Sequence, residues 1–164
     1  MASTEPPGVQ ALRKAAESGD AGAQYALGCK YYDGDGVPRD YDEALRWYRR
    51  AADQSNNSGL CDVGYCYRNG HGVEQDYAKA IPYYQQAAHQ GCPTAAYWLA
   101  YAYEYGQGVD QDIATAREWY RISAARGDRD APEALARLDR AGSGSTGTGA
   151  DGPDSCECEA CPLE

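Results

Sequence analysis

Three residues near the C-terminus have the spacing best suited to chemistry: Cys156, Cys158 and Cys161. Their C-x-C-x-x-C arrangement suits a soft metal ion or a thiol–disulfide couple. A closed zinc site needs four ligands, however, and this tail offers no histidine or fourth cysteine. Two interpretations stay open: the tail binds a metal or undergoes redox chemistry, or it has no chemical role. The last four residues have the length of a prenylation box, but proline is not aliphatic and glutamate is a poor final residue, so we expect no lipid there.

The other candidates for chemistry are two histidines and four further cysteines. His71 lies in the middle of a G-x-G turn and His89 near the end of a predicted helix, and the pattern places no serine or cysteine beside either as a nucleophile. The cysteines occupy positions that do not recur along the chain, so we expect reduced thiols; they are Cys29, Cys61, Cys66 and Cys92. We therefore predict no catalytic residue, no metal site and no cofactor, and a protein that is not an enzyme.

The elements that must position these residues repeat every 36 residues. Six positions of the unit are occupied three times by the same residue type: Gly34, Gly70, Gly106; Gly36, Gly72, Gly108; Val37, Val73, Val109; Asp40, Asp76, Asp112; Ala44, Ala80, Ala116; and Ala52, Ala88, Ala124. A unit of this length cannot bury its apolar residues alone, so neighbouring units must stack. The chain is therefore predicted to be a repeat array.

Each unit predicts two helices joined by a reversal. Small and apolar residues at helical spacing define a first helix, helix A, which in the first unit carries Ala23, Leu27, Gly28 and Tyr31. It should end at the G-x-G turn, where glycine takes a left-handed conformation. A second helix, helix B, should begin at an aspartate N-cap, with Glu43 as the capping-box partner of Asp40.

The ends of the array differ from its middle. The pattern predicts a disordered segment over residues 1–7, a solenoid over residues 8–141 that opens with a half-repeat, and a disordered, Gly/Ser-rich acidic tail over residues 142–164. Ala131, Leu135 and Ala136 continue the helix A pattern in a final capping helix. Trp119 is expected to fill the last gap between helices, and Pro82 to remove one backbone hydrogen bond from its helix.

At this point the sequence resembles a known family, the Sel1-like repeats of the tetratricopeptide-like superfamily. The pattern A-x-x-x-L-G-x-x-Y, G-x-G-V-x-x-D and A-x-x-W-Y-x-x-A-A occurs within residues 23–52. The resemblance implies an all-α, right-handed α/α solenoid of three full repeats with terminal half-repeats, whose A helices line the inner curve. It also implies an adaptor that binds other proteins. The family includes a cysteine-rich branch reported to bind or hydrolyse β-lactams, but the cysteines here do not repeat.

The charge limits the classes of partner. The net charge is −10, and residues 142–164 contribute half of it with five acidic residues and no basic one. An acidic protein repels phosphate backbones and anionic lipid, so we expect neither nucleic acid nor a membrane as partner. The start of the sequence has neither the basic region nor the apolar run of a signal peptide, so we expect a cytoplasmic location. We also expect a monomer.

The predicted binding face consists of helix A positions that the core stripe does not use. Trp98, Tyr101 and Tyr105 stand at i, i+3 and i+7 and form an aromatic stripe. The aligned positions vary between repeats, as a partner-specific surface would, although packing between repeats is the alternative explanation. The residues expected to contact a protein or peptide in the concave groove are Lys30, Asp62, Tyr65, Trp98, Tyr101 and Tyr105.

An interaction scaffold, a β-lactam enzyme of the cysteine-rich type and a spacer for the thiol tail are the three hypotheses. An enzyme should break the repeat symmetry with a buried carboxylate or histidine, whereas a scaffold should break it on one exposed face. The variable positions favour the scaffold.

The first testable prediction concerns the tail. Residues 142–164 should contribute nothing to stability, because they have too few apolar side chains to bury. A chain that ends at residue 141 should melt at the same temperature as the full chain, and tail amides should exchange at unprotected rates. Protection of these amides, or a shift of the melting temperature on addition of zinc, would revive the thiol-tail hypothesis.

Overall fold

The computed structural model describes residues 5–141, and within this range the chain forms eight helices and no strand. They are α1 Pro7–Glu17, α2 Ala21–Asp33, α3 Tyr41–Asp53, α4 Asn57–Asn69, α5 Tyr77–His89, α6 Pro93–Tyr105, α7 Ile113–Ala125 and α8 Ala131–Ala141. Each helix packs mainly against its neighbours in the chain. The predicted all-α solenoid is confirmed: α2, α4 and α6 are the A helices, and α3, α5 and α7 are the B helices. The predicted tail, residues 142–164, lies outside the described range.

The three G-x-G turns reverse the chain as predicted. The first glycine of each turn is left-handed, with φ of 75° at Gly34, 73° at Gly70 and 67° at Gly106. The amide of Gly34 donates to the Lys30 carbonyl at 2.9 Å, which satisfies one of the last carbonyls of the helix. A further backbone bond closes each loop, and in the first repeat it runs from the Asp40 amide to the Tyr31 carbonyl at 2.9 Å.

The predicted aspartate N-caps are confirmed, but the predicted capping box is wrong. The Asp40 side chain accepts from the Glu43 amide at 3.0 Å, and Asp76 caps α5 in the same way. The reciprocal bond of a capping box cannot form, because the Asp40 amide already donates to Tyr31. Glu43 instead accepts from the indole of Trp47 at 3.1 Å and from Arg46 at 2.9 Å.

Close approach between helices depends on small residues. A Cβ atom placed on Gly28 would lie 2.6 Å from the ring of Tyr48, and one on Gly64 would lie 2.8 Å from the ring of Tyr84. These contacts join the A and B helices of one repeat. Between repeats, the second glycine of the turn approaches backbone: a Cβ on Gly72 would lie 2.3 Å from the Tyr41 carbonyl oxygen. The aromatic rings and the turn backbone occupy the space that a side chain would need.

The ends of the array depart from the prediction in three places. Helix α1 begins at Pro7, and Glu5 forms an ion pair with Arg13, so the ordered region starts before the predicted boundary at residue 8. Trp119 is only partly buried against the core, whereas its neighbour Tyr120 is fully buried and fills the last gap. In α8 the predicted core residue Ala136 is exposed, and the buried residues are Ala131, Ala134 and Leu138.

The helix with an internal proline stays continuous. Helix α5 is 13 residues long, like the other helices of the full repeats, although it contains Pro82. The Pro82 side chain is exposed, so the ring that replaces the amide hydrogen lies on the solvent side of the helix. The backbone carbonyl that lacks a hydrogen bond because of Pro82 therefore lies where water can reach it.

The second testable prediction separates backbone strain from steric contact. Gly72→Ala should lower the free energy of unfolding by about 3 kcal/mol, because alanine is strained at positive φ and its Cβ meets a carbonyl oxygen that cannot move aside. Gly91 also has positive φ, at 102°, but a Cβ there meets nothing within 4 Å. Gly91→Ala should therefore cost only the strain, about 1 kcal/mol. Urea denaturation of both variants gives the comparison, and equal losses would show that the contact at Gly72 is unimportant.

Candidate partner-binding surface

Aromatic side chains from α2, α3, α4, the turn after α4, and α6 form a continuous strip along the A helices, here called the aromatic ribbon. Its members are Tyr32, Tyr41, Tyr65, His71, Trp98, Tyr101 and Tyr105. Neighbouring rings have centroids 5.0 Å apart for Tyr32 and Tyr41, 6.4 Å for Tyr32 and Tyr65, 6.3 Å for Tyr65 and Trp98, 5.7 Å for Trp98 and Tyr101, and 4.4 Å for Tyr101 and Tyr105. Most pairs are tilted or edge-to-face, which is the arrangement that aromatic quadrupoles favour. The ribbon therefore joins three repeats.

His71 links the first repeat to the second at one end of the ribbon. Its ring stacks on Tyr41, with centroids 4.7 Å apart and planes 10° from parallel, and its Nδ1 lies 2.8 Å from the hydroxyl of Tyr32. Partial burial lowers the pKa of the imidazole, because the charged form loses hydration there. The neutral imidazole of His71 shares one hydrogen bond with the hydroxyl of Tyr32. This contact holds the G-x-G turn of the second repeat against the first repeat.

Arg68 covers the centre of the ribbon. Its guanidinium lies 4.0 Å from the ring centroid of Trp98 and 5.1 Å from that of Tyr101, both of which belong to the next repeat. Its Nη1 donates to Asn69 Oδ1 at 3.1 Å, and the Asn69 amide group is held by a bond to the Tyr65 carbonyl at 3.0 Å. Cation–π contacts of this kind favour a guanidinium that lies flat on an indole. Arg68 is thus both a packing residue between repeats and a half-buried charge.

A buried carboxylate lies at the other end of the ribbon. Glu104 is 5% exposed, accepts from Arg137 Nη2 at 2.9 Å and from the hydroxyl of Tyr120 at 2.7 Å, and forms an ion pair with Arg137. Arg137 also donates to the hydroxyl of Tyr105 at 2.7 Å. The expectation that repeat symmetry breaks only on an exposed face is therefore wrong. Both oxygens of Glu104 are bonded, however, and this carboxylate ties α8 to α6.

The residues predicted to contact a partner divide into two groups. Tyr65, Tyr101 and Tyr105 lie in the ribbon; Tyr105 is partly exposed, whereas Tyr65 is 7% and Tyr101 9% exposed, so these two are more buried than expected. Lys30 is partly exposed and forms an ion pair with Asp35 across the first G-x-G turn. These four side chains lie on the predicted helices, and their contact with a partner stays a prediction.

The expected exposure of Trp98 and Asp62 is corrected by the structure. Trp98 is 1% exposed because Tyr65, Arg68 and Tyr101 surround its ring. Asp62 is 6% exposed, and its negative charge contributes with burial to a raised pKa of the Cys66 thiol. Both side chains lie in the packing between helices, and any part they play in binding acts through the residues that cover them.

Sequence reasoning missed Tyr32, Tyr41, Arg68 and His71. A signal was available for one position, because Tyr32, Arg68 and Glu104 occupy the same place in their repeats and differ in charge and shape. The rule that variable positions mark the functional face, applied at this position, would have found Arg68. His71 was set aside as the variable middle of a turn, and nothing in a single sequence shows that this turn packs against Tyr41.

Other kinds of site find little support in the part of the chain that is described. Residues 5–141 contain no group of three or more His, Cys, Asp or Glu side chains arranged to hold a metal ion. The four cysteines in this range form no disulfide with one another. The helices described are all too short or too polar to cross a membrane. The cysteine cluster of the tail lies outside the described residues.

Comparisons with known proteins give the family context. The family model of the Sel1 repeat matches residues 21–56, 58–92 and 93–128. A Sel1 repeat protein from Oxalobacter formigenes has a TM-score of 0.77 and 34% identity, over 82% of this chain and 55% of that protein. The Escherichia coli protein c5321, a protective antigen present in uropathogenic strains and displaying an SLR fold, has a TM-score of 0.72 and 41% identity, over 75% of this chain and 26% of that protein.

A third structure, Helicobacter pylori cysteine rich protein B, is 21% identical with a TM-score of 0.62, over 77% of this chain and 96% of that protein, and it shares the fold alone. No curated protein sequence matches this chain. This chain spans only part of the length of the Oxalobacter and Escherichia proteins. Their whole-protein activities therefore do not transfer with the fold.

The third testable prediction concerns Glu104. Glu104→Gln should lower the free energy of unfolding by about 2 kcal/mol, because the amide loses the negative charge that pairs with Arg137 and its NH₂ group cannot accept the second hydrogen bond from that guanidinium. Glu118→Gln is the matched control, since Glu118 forms an exposed ion pair with Arg121 on the surface of α7 and should cost less than about 0.5 kcal/mol. Chemical denaturation measures both, and equal effects would mean that the buried carboxylate is not needed to hold α8.

Proposed function

Because the chain belongs to the Sel1 repeat family, we propose that it is a protein-interaction scaffold that binds a peptide or protein domain along the aromatic ribbon. Sel1 repeat proteins are generally non-catalytic scaffolds that mediate contacts between proteins. The ribbon supports this proposal because it runs across three repeats, where an extended partner can contact several A helices at once. The A helices line the inner curve of the solenoid in this proposal.

The single observation that carries the proposal is the contrast between fixed and variable positions. The glycines, aspartate caps and core tyrosines recur in every repeat, whereas ribbon positions differ from one repeat to the next; Cys29, Tyr65 and Tyr101 occupy one such position. Variation of this kind from repeat to repeat is expected of a surface that contacts a specific partner. Partly exposed tyrosines are also common anchors in protein interfaces, because they bury a large ring at a small entropic cost.

The remaining parts of the proposal concern chemistry and location. The protein acts without catalysis, since Glu104 is bonded on both oxygens and the buried thiol of Cys66 has a raised pKa that keeps it protonated and unreactive. It acts in the cytoplasm as a monomer. The partner is a protein or peptide, because the acidic character of the chain disfavours nucleic acid and anionic membrane.

The fourth testable prediction compares two tyrosines of similar burial. Tyr105→Ala should weaken capture of peptides selected by the full chain from a display library by about tenfold, which is the loss expected for an aromatic interface residue. Tyr83→Ala is the control, because Tyr83 is also partly buried and stacks on a tyrosine, Tyr67, with centroids 5.8 Å apart, but belongs to the B helix α5. It should leave peptide binding unchanged.

Folding of both variants is checked by thermal melts, so that a loss of binding is not a loss of structure. Binding lost with Tyr83→Ala and kept with Tyr105→Ala would place the interaction on the B helices and contradict the proposal. A library from which the chain selects no peptide would contradict peptide recognition itself.

A further inference from the structure

The centre of the aromatic ribbon has hydrogen-bond donors that lack acceptors. The Arg68 Nε and the Trp98 Nε1 are both buried and have no partner among the described residues. They belong to the same contact, because the guanidinium lies 4.0 Å from the indole centroid. Buried polar atoms are normally paired, and an unpaired one costs free energy. Both atoms are donors, so what this part of the ribbon lacks is an acceptor.

Arg68 also lacks an acidic partner. Within residues 5–141 no carboxylate lies within ion-pair distance of its guanidinium, whereas the other cations near the ribbon are neutralised: Arg137 by Glu104, and Lys30 by Asp35. Its Nη1 is bonded to Asn69, and its Nη2 is neither bonded to a described atom nor among the buried unbonded atoms. The Nη2 group of Arg68 therefore remains available in the middle of the ribbon.

The nearby acids do not occupy this edge. Asp62 is buried on α4, where its charge contributes to the raised pKa of Tyr48 and Cys66, and it lies outside ion-pair distance of Arg68. Glu104 is paired with Arg137, and the other acidic side chains of residues 5–141 are exposed or partly exposed, where salt screens charges beyond about 8 Å at physiological ionic strength. Arg68 is therefore a charge at the centre of the ribbon that no described carboxylate neutralises.

We infer that the ribbon recognises an acidic peptide segment, in which one aspartate or glutamate side chain pairs with Arg68 while a neighbouring apolar side chain packs on Tyr101 and Tyr105. A carboxylate of the peptide neutralises the charge of Arg68 and accepts from its Nη2, and charge-assisted hydrogen bonds of this kind are stronger than those between neutral groups. A basic segment is disfavoured because Arg68 already covers the face of Trp98 that would attract a cation. This inference rests on the proposed scaffold function and names the chemistry of its partner.

The test uses a display library of random ten-residue peptides selected on the full chain, followed by affinity measurements on synthetic peptides. Selected peptides should share one acidic residue beside an apolar one. Arg68→Gln should weaken binding of such a peptide by about tenfold or more, the loss expected for a charge-assisted hydrogen bond. Changing the acidic residue of the peptide to its amide should weaken binding by a similar factor. Arg68→Gln combined with the amide peptide should weaken binding little more than either change alone.

A matched control separates charge recognition from loss of packing. Arg50 lies 4.5 Å from the ring centroid of Trp47 on the B helix α3, so Arg50→Gln also removes a guanidinium from an indole but does so away from the ribbon. It should leave peptide binding unchanged. Thermal melts of both variants show whether either one unfolds.

The outcomes are distinguishable from failure of the scaffold function. Peptides selected without an acidic residue, or an acidic preference that survives Arg68→Gln, would overturn the inference while the scaffold function stands. Selection of basic peptides would also overturn the inference while the scaffold function stands, and would show that the ribbon binds cationic side chains. If the chain selects no peptide at all, the inference fails together with the function on which it rests.

Discussion

The structure depends on a backbone contact between repeats that leaves no room for a side chain. The second glycine of the G-x-G turn lies against the start of the preceding B helix, where a Cβ on Gly72 would come within 2.3 Å of the Tyr41 carbonyl and one on Gly108 within 2.6 Å of the Tyr77 carbonyl. The same glycines have positive φ, so one residue type satisfies both the turn and the contact. Because the contact joins backbone to backbone, it fixes the spacing of neighbouring repeats independently of their side chains.

The recurring glycines and aspartates define the turns and helix caps of every repeat, so the residues at the other positions can differ between repeats. The middle residue of the turn is Asp35 in one repeat, His71 in the next and Gln107 in the third, and only His71 stacks on a tyrosine of the preceding repeat. Surface specificity can thus change without disturbing the stack. This division between frame and surface explains how three units of the same fold present one continuous and non-repeating ribbon.

The sequence predicted the fold better than the surface, for a physical reason. Turns, caps and helix pairs are local, so six recurring positions were enough to place α2 through α7. Which side chains of the A helices are exposed depends on the rotation of one repeat relative to the next. The repeat pattern of the sequence does not determine that rotation angle. Trp98 was therefore expected on the surface, whereas the structure places it under Arg68, a residue 30 positions earlier in the chain. The Glu104 and Arg137 pair was missed for the same reason, since its partners are 33 residues apart.

One position of the repeat explains why the array has a defined order. Tyr32, Arg68 and Glu104 occupy equivalent places, and each contacts the repeat that follows: Tyr32 meets His71, Arg68 meets Trp98, and Glu104 meets Arg137. The three contacts are a hydrogen bond between neutral groups, a cation on an aromatic ring, and a buried ion pair. Moving Glu104 to either of the other two places would break its buried ion pair with Arg137 and leave charged groups without their partner, which is costly. Identical interfaces would allow repeats to pair out of order, whereas these chemically different interfaces favour a single arrangement and so hold the ribbon residues in one fixed sequence along the solenoid.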